Sequence, residues 1–143
     1  MIEGVDHIGI VVRDIEEATA RYALLLGLKE ESRESYGEGQ MEIAFLVPMP
    51  GIRPSIELLA PLRPGSSAWE FLQTRGEGIE HVAYRVTDVA FELGRIRETM
   101  PEALEDTCAR PGAGGMEIAF LRPSALFGAL TELVAPRRGG GAS

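Results

Sequence analysis

The chain has 143 residues, 45% of them hydrophobic, and a net charge of −8 from 22 acidic against 14 basic side chains. That length supports one domain, or two small packed modules, with a sizeable core. The charge leaves no positive face for nucleic acid, no segment approaches the roughly 20 apolar residues that span a bilayer, and the single cysteine, Cys108, excludes disulfide frameworks and thiolate zinc clusters. A lone thiol and an N-terminus without the pattern of a secretory leader predict a cytoplasmic protein, with Cys108 as a small buried hydrophobe.

The first predicted element is the strand in "VDHIGIVV". There Val5, His7, Gly9 and Val11 share one face, and Ile8, Ile10 and Val12 the other. Asp14 with Glu17 three residues on reads as a capping box. Ile15, Ala18, Tyr22 and Leu25 then recur at helical spacing until Gly27 stops the run. An extended segment near Lys29–Tyr36 leads to strands in "MEIAFLV" and "SIELLA", where Glu57 lies with Ser55 and Leu59, opposite Ile56 and Leu58. Residues 66–75 read as a short linker helix with Trp69 and Phe71 in the core.

The series then restarts. "IEHVAYRV" puts Ile79, His81, Ala83 and Arg85 on one face. A helix follows, capped by Asp88, striped by Val89, Leu93 and Ile96, and ended by Pro101. Then come an extended segment Ala103–Arg110 and strands in "MEIAFL" and "ALTELVA", where Glu132 lies with Leu130 and Val134.

The chain is therefore written twice. His7 and Asp14 return as His81 and Asp88, "MEIAFLVP" as "MEIAFLRP", and "IELLAP" as "TELVAP", each about 74 to 75 positions later. The predicted fold is α+β, two tandem βαβββ modules whose sheets form a half-barrel metal cleft. Module one covers about 3–62, the linker helix about 66–75 and module two about 78–136 of a single domain, 1–136, with a flexible tail at 137–143.

The branched apolar sets face the helices, which leaves both histidines and both glutamates on the other side. A lone strand histidine is usually hydrogen-bonded packing, and a lone Glu among leucines usually marks a rim. These are the chain's only histidines, however, and each is matched by a Glu in its own copy. Neutral imidazole and carboxylate suit zinc, cobalt, nickel, manganese or ferrous iron, so His7, Glu57, His81 and Glu132 are candidate metal ligands.

With those residues in place, "VDHIGIVVRDIEEA", "IELLAPL", "FLQTRGEGIEHVAYRVTDV", "RPGAGGMEIAFLRP" and "GALTELV" resemble, in order, the sequence blocks of the methylmalonyl-CoA epimerases. These belong to the vicinal-oxygen-chelate (glyoxalase/bleomycin resistance/dioxygenase) superfamily and have a glyoxalase-like fold. The resemblance implies an isomerase that inverts the carbon between a thioester and a carboxylate, by α-proton removal and return through a chelated enolate. It implies metal ligands at His7, Glu57, His81 and Glu132, and proton-transfer groups at Glu42 and Glu132. It further implies a divalent cation, with cobalt the first choice and zinc, nickel or manganese the alternatives, an acyl-CoA thioester substrate, and a homodimer.

Glu117, the repeat mate of Glu42, is either a second flanking base or a solvated strand residue. The chain reads Glu80-His81 where these epimerases often read His-His, and strand alternation points Glu80 away from the metal. Arg122 stands in "RPS" where the family commonly has His-Pro-Lys. Two alternatives stay open: a glyoxalase I-like enzyme acting on a glutathione hemithioacetal, and a non-catalytic small-molecule binding or resistance module.

Overall fold

The computed structural model describes residues 1–139. In chain order the elements are β1 (Ile2–Val11), α1 (Ile15–Leu26), β2 (Lys29–Tyr36), β3 (Met41–Val47), β4 (Ser55–Pro61), α2 (Ser67–Arg75), β5 (Gly78–Val86), α3 (Val89–Thr99), β6 (Arg110–Pro111), β7 (Met116–Leu121) and β8 (Leu130–Pro136). This is βαβββ written twice with a helix between, an α+β protein as the repeat predicts. Two compact units are formed, one from Val5 to Val82 and one from Ala83 onward together with Met1–Gly4.

In the unit from Val5 to Val82 the strand order is β2-β3-β4-β1, followed by the first half of β5. The three strands β2, β3 and β4 form an antiparallel meander, and β4 returns parallel to β1. That parallel register sets Ser55 opposite His7 and Glu57 opposite Gly9. Helix α1 starts where the sequence says it should. Asp14 accepts the Glu17 amide at 3.0 Å, and Gly27 closes the last turn in the left-handed conformation (φ 69°). Its Ile15, Ala18 and Tyr22 pack on Ile10, Val12, Ala44, Leu46, Ile56, Leu58 and Ala60. Leu46 and Leu58 are fully buried there, and such side chains each stabilise by about 1.5–3 kcal/mol. One sheet face is thus used up by α1, and His7 and Glu57 are left on the other.

The second unit orders the latter half of β5, then β8, β7 and β6. Helix α3, capped by Asp88 on the Phe91 amide at 3.1 Å, lays Val89, Leu93 and Ile96 over Ala119, Leu121, Leu133 and Ala135. The opposite face gathers Ala83, Ile118 and Val134. Glu132 alternates with Leu133, so it lies on this second face.

Three expectations need correcting. The extended segment over Ala103–Arg110 is mostly not a strand. A 3-10 turn occupies Pro101–Ala103, Leu104 makes one isolated bridge to Leu121, and only Arg110–Pro111 form β6. Asp106 explains part of this, because its carboxylate takes the Phe120 amide at 2.8 Å and occupies a donor that a ladder carbonyl would otherwise use. Cys108 is exposed rather than buried, in the bend just before β6. Trp69 and Phe71 are half-buried on α2, whose only buried residue is Ala68, and Arg75 lies over the Phe71 ring at 5.7 Å.

Of the expected tail, Arg138 pairs with Asp88 at 2.6 Å, and residues 140–143 lie outside the described residues. Among the described residues, no helix is long and apolar enough to cross a membrane.

Candidate metal centre

The two histidines meet inside the unit from Val5 to Val82. His7 comes from β1 and His81 from β5, each 3% exposed, and their Nε2 atoms are 3.3 Å apart. The rings stand edge to face, with centroids 5.4 Å apart and an interplanar angle of 85°. Glu57 on β4 reaches both, with Oε2 at 3.2 Å from Nε2 of His7 and Oε1 at 3.8 Å from Nε2 of His81. Phe45, the cross-strand neighbour of Glu57, packs its ring edge to face on His7 at 5.8 Å and supplies an apolar wall.

The other nitrogen of each ring is held by the residue just before it. Asp6 takes Nδ1 of His7 at 2.8 Å, and Glu80 takes Nδ1 of His81 at 3.0 Å. A carboxylate on Nδ1 selects the Nδ1–H tautomer, so each Nε2 presents a lone pair. Two such lone pairs and a carboxylate aimed at one point form a set of acceptors, and a cation is what such a set accommodates. Donor type fits as well, since imidazole nitrogen and carboxylate oxygen are the ligands of borderline divalent metals. This chain therefore carries a candidate divalent-metal site.

Gly9 makes the arrangement possible. A Cβ at that position would stand 2.1 Å from Cε1 and 2.5 to 2.6 Å from Nδ1 and Nε2 of His81. The imidazole thus occupies the space that any other residue's side chain would fill. The repeat mate of Gly9 is Ala83, which is fully buried.

His7, Glu57 and His81 come together as the sequence predicts. Glu132 is buried at 5% exposure on β8, opposite Phe120 as Glu57 is opposite Phe45. Glu42 is half-buried at the start of β3, paired with Ser35 and Ala60. Ala60 and Ala44 belong to the cluster under α1, so the register puts Glu42 on the α1 side of the sheet, opposite to Glu57. Glu117 is likewise paired with Ala135, which packs under α3. Arg122 is engaged by Glu105 at 3.2 Å. The "RPGAGG" stretch runs from β6 into a 3-10 turn, with Gly114 and Gly115 at positive φ.

Asp6, Gly9 and Glu80 were not singled out from the sequence as site residues. A signal for the two acids was present, because an acidic residue precedes each histidine in both copies. Alternation does point Glu80 to the far side of the strand at its Cα, but the side chain is long enough to return to its neighbour's ring.

Residues 6–120 match the family model of the glyoxalase/bleomycin resistance protein/dioxygenase superfamily, and the chain belongs to that superfamily. Within it, the chain is similar to named epimerases. It is 32% identical to the ethylmalonyl-CoA/methylmalonyl-CoA epimerase of Cereibacter sphaeroides, over 93% of this chain and 98% of that one. The crystal structure of methylmalonyl-CoA epimerase from Mycobacterium tuberculosis is 34% identical and superposes with a TM-score of 0.87, covering 99% of this chain and 93% of its own. A Streptomyces coelicolor methylmalonyl-CoA epimerase variant, in complex with 2-nitronate-propionyl-CoA, is 28% identical with a TM-score of 0.87, over 96% of this chain and 100% of its own. The glyoxalase-like fold expected from the sequence is the fold these structures share with it.

Proposed function

We propose that this chain is an acyl-CoA epimerase, an isomerase acting on methylmalonyl-CoA or a close relative. One observation carries the reading. His7, His81 and Glu57 converge within 3.2 to 3.8 Å in a chain whose relatives include epimerases of that substrate matched over nearly their whole length. His7, Glu57, His81 and Glu132 would hold the cation. Glu132 is supported by its repeat equivalence to Glu57 and by its burial on β8 opposite Phe120. A divalent cation held there would supply Lewis-acid stabilisation of negative charge on the oxygens of the acyl group.

Inversion at a carbon requires a proton taken from one side and returned to the other, so two proton-transfer groups are needed. Glu132 is the first in this proposal, buried and bordered by apolar Leu133 and Val134. Glu42 is the second, supported by the role the family resemblance implies for it and by its half-burial on β3, where strand register gives it the α1 side. Cobalt as the resident metal, assembly as a homodimer and a cytoplasmic location complete the proposal. The lone Cys108 suits a reducing compartment.

The test uses protein stripped of metal and then reloaded with cobalt, incubated with each enantiomer of methylmalonyl-CoA in D2O. Deuterium at the α-carbon together with inversion, only in the loaded sample, is the expected result. Turnover of a glutathione hemithioacetal instead, or no exchange by the loaded protein, overturns the proposal.

A further inference from the structure

The deep acid beside His81 has two oxygens in unlike surroundings. Oε1 of Glu80 receives the ring Nδ1–H at 3.0 Å, and the side chain as a whole is only 4% exposed. Oε2 is buried with no hydrogen-bond partner among the described residues. A buried carboxylate oxygen left unsatisfied destabilises the fold unless something else compensates it. Asp6 and Glu57 are buried carboxylates close by, on and opposite His7, so the neighbourhood is already negative.

The asymmetry acquires a purpose if positive charge arrives on the far side of the ring. Nε2 of His81 points at Nε2 of His7 and at Glu57, while Nδ1 points at Glu80. Charge placed at Nε2 acidifies the Nδ1–H and draws it towards Oε1, which strengthens that hydrogen bond and offsets the buried negative charge behind it.

We infer that Glu80 is a positioning residue, which fixes the tautomer and orientation of His81 for a divalent cation and ties occupancy of the site to the stability of β5. This rests on the metal reading above. Glu80 touches no reacting atom and works only through the imidazole. Strand alternation turns Glu80 away at Cα, but that orientation does not decide where a carboxylate three bonds further out ends.

The experiment compares wild type, Glu80→Gln and Glu80→Leu, each stripped with a chelator and titrated with cobalt(II). Calorimetry and the visible cobalt spectrum report binding, and thermal melts are recorded with and without the ion. Cobalt affinity should fall about 10–100-fold in Glu80→Leu and less in Glu80→Gln, whose amide oxygen still accepts from Nδ1–H. The stripped variants should melt no lower than stripped wild type, while the increment on adding cobalt shrinks. A purely structural role would lower both melts together with affinity unchanged, and that pattern overturns the inference. Wild-type affinity in folded Glu80→Gln and Glu80→Leu also overturns it. If wild type itself takes up no cobalt, the metal reading fails first and this inference falls with it.

Discussion

Gly9→Ala is the sharpest perturbation the geometry offers. The new methyl would sit 2.1 Å from Cε1 of His81, against an ordinary carbon–carbon contact of about 3.5 Å or more. The ring must therefore retreat by roughly 1.4 Å, or β1 and β5 must separate by a similar amount. Metal–ligand distances tolerate only about 0.2 Å. Retreat would also pull Nδ1 from Glu80 at 3.0 Å and Nε2 from the 3.8 Å approach to Glu57. Overpacking of this kind costs about 1–3 kcal/mol in stability, which a folded domain of this size withstands. Loss of a direct ligand should cost more than the roughly 10–100-fold typical of a lost supporting hydrogen bond. The expected outcome is a protein that folds, by circular dichroism and a cooperative melt, yet binds cobalt(II) more than about 100-fold more weakly by calorimetry. A folded Gly9→Ala protein with wild-type cobalt affinity would refute the claim that the imidazole needs this space.

Glu132→Gln should abolish inversion of both enantiomers, and α-proton exchange in D2O from the enantiomer whose proton Glu132 takes, because a neutral amide neither takes nor returns the proton. Glu42→Gln separates two expectations. Exchange lost from one enantiomer supports the role implied by resemblance, whereas unchanged exchange from both supports the α1-side placement given by its pairing with Ala60. Gly94→Ala, in α3 with open space at its Cβ, should raise the melting temperature through about 0.4–1 kcal/mol of stability, since it stiffens the unfolded chain without a clash. Glu31 has its carboxyl held below the usual value of 4.5, first by the Arg53 guanidinium and then by the Gly51 amide. A lowered folded-state pKa gives stability that is present above 4.5 and is lost as pH falls through the lower folded value. Glu31→Gln should therefore melt below wild type at neutral pH, with the gap closing in acid below 4.5, as followed by melts across that range.

The fold was legible because the duplication exposed it, and each local signal agreed with the next. Asp14 and Asp88 cap the helices they were expected to cap, Gly27 ends the first, and the apolar partners of Ile10 and Leu133 lie under helices as the period of two requires. The second strand of the second copy was not legible, since repeat logic carried the extended conformation of Lys29–Tyr36 onto residues that a proline, a 3-10 turn and the Asp106 side chain pin differently. At the site, the meeting of His7, Glu57 and His81 from β1, β4 and β5 followed from alternation and repetition. Glu80 and Gly9 did not, for opposite reasons. The first acts through a flexible side chain whose end point no periodicity predicts, and the second acts by having no side chain, which a face assignment does not register. The face of Glu42 was not legible either, because it depends on the pairing with Ala60, which the sequence does not show.

The gap beside His81 has a bearing on how the two copies have been able to evolve. His7 and His81 are the same residue type, yet two positions on the copies differ: Gly9 leaves room for the His81 ring, and its mate Ala83 carries a methyl. Gene conversion that overwrote the first half with the second would carry every liganding residue type across intact and still damage the centre, through one imported methyl. The halves look interchangeable on paper, but position 9 admits no side chain while position 83 already carries a methyl.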